Sequence, residues 1–358
     1  MKEMPTPNPI ANRMEGLRIV AIGGGTGLST LLRGLKRHVL SVSPSGASVP
    51  APIPPYISRL TGIVTVTDDG GSSGRLRKEL GVPPPGDIRN CMTALSDDEE
   101  LLSQLFRYRF SSGGLDGHSF GNLFLTALAE VCGDFSLAVQ LSSAILKTRG
   151  EIFPSSANSN LQIDALMHNG KRVRGETKIT ASRSGIAHLR LVPANARPLP
   201  QALDAILNAD IVSIGPGSLF TSLIPNLLVR GVPEAITKSN ALRVYICNLM
   251  TQPNESTGLT ASQHIEALFD HAKCKVFDYV MLNYAPVPNE LRARYAEDNA
   301  EPLYNDLDEI RALGVTPILG DYLDASHFAR HATDRIALDL LNLPARLHHE
   351  STAQAPTA

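Results

Sequence analysis

Several things are missing from this 358-residue sequence, and each absence removes a class of function. The four cysteines, Cys91, Cys132, Cys247 and Cys274, form no Cys-x-x-Cys pair and have no histidine cluster beside them, which excludes a zinc knuckle and a disulfide framework. Scattered thiols suit a reducing cytoplasm, the compartment expected here. No apolar run reaches the roughly 18 to 20 residues needed to cross a bilayer. Met1 to Gly16 also lacks the apolar stretch of a signal peptide. Basic residues do not dominate: 33 Lys and Arg stand against 35 Asp and Glu, a formal net charge of -2, so nucleic acid is not an expected partner. The Gly-Lys-Ser/Thr of a Walker loop, the G-x-S-x-G elbow of a hydrolase and any internal repeat are absent as well.

What is present reads as a globular α/β protein. Hydrophobic residues at 43% and charged residues at 19% are enough to bury a substantial core. β-Branched runs at Leu17 to Ile22 and Leu60 to Thr67 end in glycine-rich loops, and Leu28, Leu31, Leu32 and Leu35 then recur at helical spacing. The expected fold is a Rossmann-like, doubly wound, mostly parallel sheet with a helical segment and a small antiparallel insertion. A nucleotide-binding domain is expected over 17–345, between disordered segments at 1–16 and 346–358. Within it a Ser- and Pro-rich surface insertion is expected at about 41–55 and a small β insertion at about 150–195. One helix is expected over Ser218 to Arg230.

The loops that follow the strands carry the chemistry. In Gly23-Gly24-Gly25-Thr26-Gly27 the glycines allow close approach of backbone to a ligand, and the following helix aims free N–H groups at an anion. A ligand-free strand-to-helix turn would use the same glycines. Asp68-Asp69-Gly70-Gly71-Ser72-Ser73-Gly74-Arg75 follows the second strand and offers carboxylates to a ribose, a sugar or a divalent ion such as Mg2+ bridging phosphates. Asp68 and Asp69 are thus both metal candidates and, with His118, candidate catalytic groups; as plain residues they would be a turn and helix caps. Asp87 reads as a cap for the helix after Pro85. Gly117 to Asn122 places His118 and Asn122 at a helix start. Gly215, Gly217 and Ser218 repeat the logic of the first loop, and Asn248 opens an amide-rich loop suited to base or sugar edges.

Taken together, GGGTGLSTLLRGLK, VTVTDDGGSSGRLR, PPGDIRNC, GHSFGNL, GPGSLFTSLIPNLLV and NLMTQPNE resemble the gluconeogenesis factor family, bacterial relatives of 2-phospho-L-lactate transferase. The resemblance spans roughly Arg18 to Leu341. It implies a regulator that binds a nucleotide-sugar such as UDP-N-acetylglucosamine, or an NAD(P)-type dinucleotide, and acts on carbon flux, cell shape and envelope morphogenesis through protein partners. Self-association is left open. The alternative it implies is a metal-dependent transferase using a nucleotide diphosphate donor. The ligand contacts carried over are Gly24, Gly25, Thr26, Gly27, Asp69, Asn122, Gly215, Gly217, Ser218 and Asn248, with Tyr295 for stacking and Arg330 for phosphate pairing. One departure is Asn254, where relatives tend to show Gly. A side chain there is less able to take a positive φ, so a changed backbone is expected beside Asn248.

Overall fold

The computed structural model describes residues 16–40, 55–96, 101–158 and 160–353. The expected surface insertion falls outside the described residues except for Pro55, as do 1–15 and 354–358. The strands are β1 (Leu17–Gly23), β2 (Ile57–Val64), β3 (Glu151–Pro154), β4 (Gln162–Met167), β5 (Arg172–Arg174), β6 (Ile186–Val192), β7 (Ile211–Ile214), β8 (Leu242–Ile246), β9 (Tyr279–Asn283), β10 (Thr316–Gly320), β11 (Leu323–Ala325) and β12 (Ala329–His331).

The main sheet has seven strands in the order β10-β9-β8-β7-β1-β2-β3, and every pairing within it is parallel. Alternation along β1 explains why both faces are covered. Val20 and Ile22 enter one hydrophobic core, while Ile19 and Ala21 enter the other. The chain leaves β1 outward through β2 and β3, then returns to lay β7 on the opposite side of β1. The connections therefore diverge between β1 and β7, where α/β sheets open a ligand crevice.

The structure departs from the sequence reading in instructive places. Glu151–Pro154 is no part of an antiparallel insertion, because it pairs in parallel with β2 and extends the main sheet. Only β4, β5 and β6 form the antiparallel sheet, in the order β5-β4-β6. Its inner residues Ile163, Ala165, Leu189 and Leu191 share a core with Val20 and Ile22, so it is a wall of the same body. Within the expected β insertion, the strand Arg172–Arg174 stops at Gly175, φ 96, and the chain continues as the short helix Glu176–Thr180.

The helices α1 (Gly25–Lys36), α2 (Gly71–Leu80) and α3 (Gly86–Leu95) follow β1 and β2. No helix was expected at α2, whose sequence GSSGRLRKEL has little apolar periodicity. The single helix expected over Ser218 to Arg230 is instead a π-turn, Leu219–Leu223, and one α-turn, Ile224–Leu227. Pro225 brings no backbone N–H to that junction. The final helix runs over Thr333–Ala353, past the expected start of the tail at 346, because Leu341 and Leu343 are buried and Leu347 packs on the same core. No described helix is long and apolar enough to cross a membrane.

The junction of β1 and β7 is held by one buried carboxylate. Asp210, 3% exposed, accepts from the Arg18 backbone N–H at 2.9 Å, from Nε at 3.1 Å and from Nη2 at 3.0 Å. Charge-assisted bonds of this kind are individually strong. Replacing Asp210 by Ala is expected to lower unfolding stability by about 2–3 kcal/mol. Urea denaturation that shows no loss would remove this assignment.

Candidate functional site

The two glycine loops meet at the switch point. Gly24 stands at the N-cap of α1, Gly25 has φ 61, and a Cβ on Gly27 would lie 2.3 Å from the Pro216 carbonyl oxygen. Gly27 thus permits the loops after β1 and β7 to touch, which brings their ends into one wall. Asn248, from the loop after β8, clamps the second loop: its Nδ2 donates to Gly217 O at 2.9 Å and its Oδ1 accepts from Gly217 N–H at 3.3 Å. Gln252 donates to Ser218 Oγ at 2.8 Å. These loops border a cavity of about 610 Å³, within the range of small-molecule sites.

Both places where a phosphate was expected are already served by the protein's own carboxylates. The Gly25 N–H donates to Asp87. At the second loop, the Phe220 and Thr221 N–H groups donate to Glu255, which also accepts from Thr221 Oγ1 at 3.0 Å. Backbone N–H groups that were expected to meet a phosphate thus meet carboxyl groups of the chain itself.

Acids also dominate the lining. Asp68, Asp87, Glu176 and Asp298 face the cavity, and no Lys or Arg is among its lining residues. Crowding and burial act together on these groups. Burial, then the neighbouring Asp68, pushes the Asp87 carboxyl up to about 7. Burial followed by Asp68, Asp87, Glu255 and Asp69 pushes Glu176 up to about 9. Burial also raises Asp68, against hydrogen bonds from the Gly70 N–H and Ser73. At neutral pH Glu176 is therefore protonated and Asp87 stands near its midpoint, so both donate hydrogen bonds as well as accept them.

The residues singled out from sequence divide into two sets. Gly24, Gly25, Thr26, Gly27, Asp68, Gly217, Ser218, Asn248 and Tyr295 all line the cavity. Asp69, His118, Asn122, Gly215 and Arg330 are not among its lining residues. Asp69 instead accepts from the Thr177 backbone N–H at 2.8 Å and Thr177 Oγ1 at 2.7 Å, fixing the start of the helix Glu176–Thr180. His118 Nδ1 and Asn122 Nδ2 meet at Ser72 Oγ, at 3.0 and 3.2 Å. Burial and then Arg75 lower the His118 pKa, so the ring is neutral there. Arg330 lies over the Phe328 ring at 5.6 Å, while its strand neighbours Ala329 and His331 line the cavity. Alternation along β12 accounts for that one-residue difference.

Asp87, Glu176, Asp298 and His331 line the cavity but were not among the site candidates taken from sequence. Asp87 is no cap, since Pro85 holds the N-cap position of α3. Glu176 enters from a helix that looked like a strand. His331 is half-buried and donates Nε2–H to the Cys247 carbonyl at 3.0 Å; desolvation lowers its pKa to about 4. Asn254 has φ 65 and donates Nδ2–H to Thr180 O at 3.0 Å, a left-handed backbone at one of the few non-glycine residues that tolerate it.

Over residues 19–323 the sequence matches the family described as 2-phospho-L-lactate transferase CofD. It is 44% identical over 331 residues to the gluconeogenesis factor of Halalkalibacterium halodurans, covering 92% of this chain and 97% of that one. It is 42% identical over 328 residues to the gluconeogenesis factor of Bacillus subtilis, covering 91% and 98%. The chain belongs to this family. A crystal structure of a family member from Bacillus halodurans superposes with a TM-score of 0.84 at 42% identity, covering 92% of this chain and 100% of the other. The shared architecture includes the β1/β7 switch point from which the crevice is built.

Glu176 offers a direct check on the acidic lining. Its pKa is raised from 4.5 to about 9 in the folded chain, so the folded state holds a proton that the unfolded state releases. The stability it contributes is greatest below the unfolded value and is lost as pH rises through the folded one. Glu176→Gln should therefore melt above the native protein, by a margin that widens between about pH 5 and 9. A margin constant across that range would contradict the assignment.

Proposed function

We propose that the protein is a cytoplasmic regulator that binds a nucleotide-sugar of the UDP-N-acetylglucosamine kind in this crevice. With protein partners in carbon or cell-wall precursor metabolism, it adjusts carbon flux, cell shape and envelope morphogenesis during gluconeogenic growth. The observation that carries the reading is a switch-point cavity lined by carboxyls, amides and glycine backbone. Sugar hydroxyls are matched by groups that both donate and accept, which Asp87 and Glu176 are near neutral pH. Tyr295, whose hydroxyl accepts from the Ala329 N–H at 3.2 Å, offers an aromatic ring to a base. Gln252 Oε1, without a hydrogen-bond partner, supplies an acceptor.

A diphosphate in an acidic crevice needs a counter-charge. Among the described residues no group of three or more His, Cys, Asp or Glu is arranged to hold a metal ion. Mg2+, however, commonly takes one or two carboxylates and completes its shell with phosphate oxygens and water. Asp68 and Asp87 would fit that role, since both line the cavity and, after burial, the charge of Asp68 raises the Asp87 pKa, a repulsion that a bound cation would relieve. Asp69, committed to Thr177, is the weaker of the two sequence candidates.

Titration calorimetry with UDP-N-acetylglucosamine and Mg2+ should show saturable binding without turnover. Asn248→Ala, which releases Gly217, should weaken it about tenfold. NAD(P) is the rival ligand in the same experiment. Absence of heat with any UDP-sugar, with or without Mg2+, would sink the reading.

A second reading is a transferase of the 2-phospho-L-lactate type, using a nucleotide diphosphate donor. It is favoured by Asp87, whose value near 7 is that of an effective general base at neutral pH. Such a base would take the proton of the acceptor hydroxyl as it attacks phosphorus. Nucleotide release from a nucleotide-activated hydroxy acid should then fall on the order of a hundredfold in Asp87→Asn. If no nucleotide appears across a panel of metals and acceptor alcohols, this reading fails.

A further inference from the structure

The small antiparallel sheet carries a charge arrangement that the crevice does not use. On its solvent face Asp164 of β4 stands opposite Arg174 of β5 and Arg190 of β6, and Leu166 stands opposite Arg172 and His188. Asp164, 4% exposed, takes all three arginines: Arg172 Nη1 at 3.3 Å, Arg174 Nη2 at 3.2 Å and Arg190 Nη2 at 3.4 Å. Burial raises the Asp164 pKa, but the bonds from Arg190, Arg174 and Arg172 more than offset it, leaving the carboxylate firmly ionised.

One carboxylate cannot neutralise three guanidiniums, so two positive charges remain unbalanced. Each arginine side chain is also half exposed, at 54%, 54% and 50%. A guanidinium has five N–H donors, and these contacts occupy one or two on each. The forks are held in place from below and keep donors free above. Nearby Lys273 and Asp270, beside His188, carry opposite charges.

We propose that this face is a docking surface for an acidic polypeptide segment. Arg172 and Arg174 are two residues apart on one strand, hence about 7 Å apart along it. Alternate carboxylates on one side of an extended peptide repeat at the same spacing, and the planar fork of arginine matches a carboxylate in two-point geometry. β5 is the end strand of its sheet, the position along which an extended segment aligns. Other polyanions fit less well. The face has no Phe, Tyr or Trp on which unpaired bases would stack. It also lacks the broad run of basic residues that an anionic membrane attracts. The surface stands independently of what occupies the crevice. Its position does connect the two, because Arg174 is followed by Gly175, Glu176 of the cavity lining and Thr177 bonded to Asp69.

The test uses the full chain and a fluorescent alternating Glu-Ser octapeptide, read by anisotropy. Saturable binding is expected at about 50 mM salt, falling steeply at about 300 mM as screening sets in. R172A/R190A should weaken it about tenfold or more, whereas a Lys-Ser peptide should not bind. R172K/R174K/R190K, which keeps charge but loses the fork, should fall between. Should the alanine pair fail to fold, Arg172→Glu alone removes the single 3.3 Å contact and must also lower affinity at least about tenfold. Unchanged affinity in these variants overturns the proposal. So does tighter binding of poly(U) or of phosphatidylglycerol vesicles that is lost in the same variants.

Discussion

Burial of carboxyl groups, reinforced by their closeness to one another, governs the carboxyl end of this sheet. Asp68, Asp87 and Glu176 arrive from three separate segments; burial raises the proton affinity of all three, Asp69 adds to it at Asp68, Asp68 at Asp87, and Asp68 and Asp87 at Glu176. Water would ordinarily screen such groups, but the crevice between β1 and β7 partly removes it. The chain tolerates the arrangement because the rest of the fold is over-determined. Two apolar cores cover the sheet, and Asp210 ties β1 to β7 beneath the site. The outcome is a pocket that welcomes protons, cations and hydroxyls more readily than a bare phosphate.

The sheet and its switch point were legible in the sequence because β-branched runs and glycine loops are local signals. Gly27, Asn248 and Tyr295, singled out from sequence, line one cavity. The acidic floor was not legible, for physical reasons particular to each residue. Asp87 sits beside prolines and looks like a cap, and only the tertiary fold brings its carboxylate to the Gly25 N–H. Glu176 follows a strand whose end is set by Gly175 at φ 96. Arg330 and His331 differ by one place on β12, and alternation, invisible without the strand's facing, decides which enters the cavity. Asn254 shows the opposite case, where a non-glycine residue takes the left-handed backbone, φ 65.

The family contains both a named transferase and proteins named as gluconeogenesis factors. In this chain the clamp of Asn248 on Gly217 and the contact of Gly27 with Pro216 fix one wall of the crevice. Group transfer would need, beyond such a wall, an ionised base at the right distance from an acceptor, and a carboxyl with a pKa of about 7 is only partly ionised at neutral pH.

Asp68 and Asp69 are adjacent in the chain but serve opposite sides of a wall. Asp68 faces the cavity, and Asp69 grips the first turn of the helix that delivers Glu176. The two cavity acids are therefore joined through two peptide units, Asp68–Asp69 and Glu176–Thr177, and the pair of hydrogen bonds between them. A shift of the loop after β2 would be passed to Glu176 through that link, so the spacing of the acidic floor is tied to the seating of the small sheet.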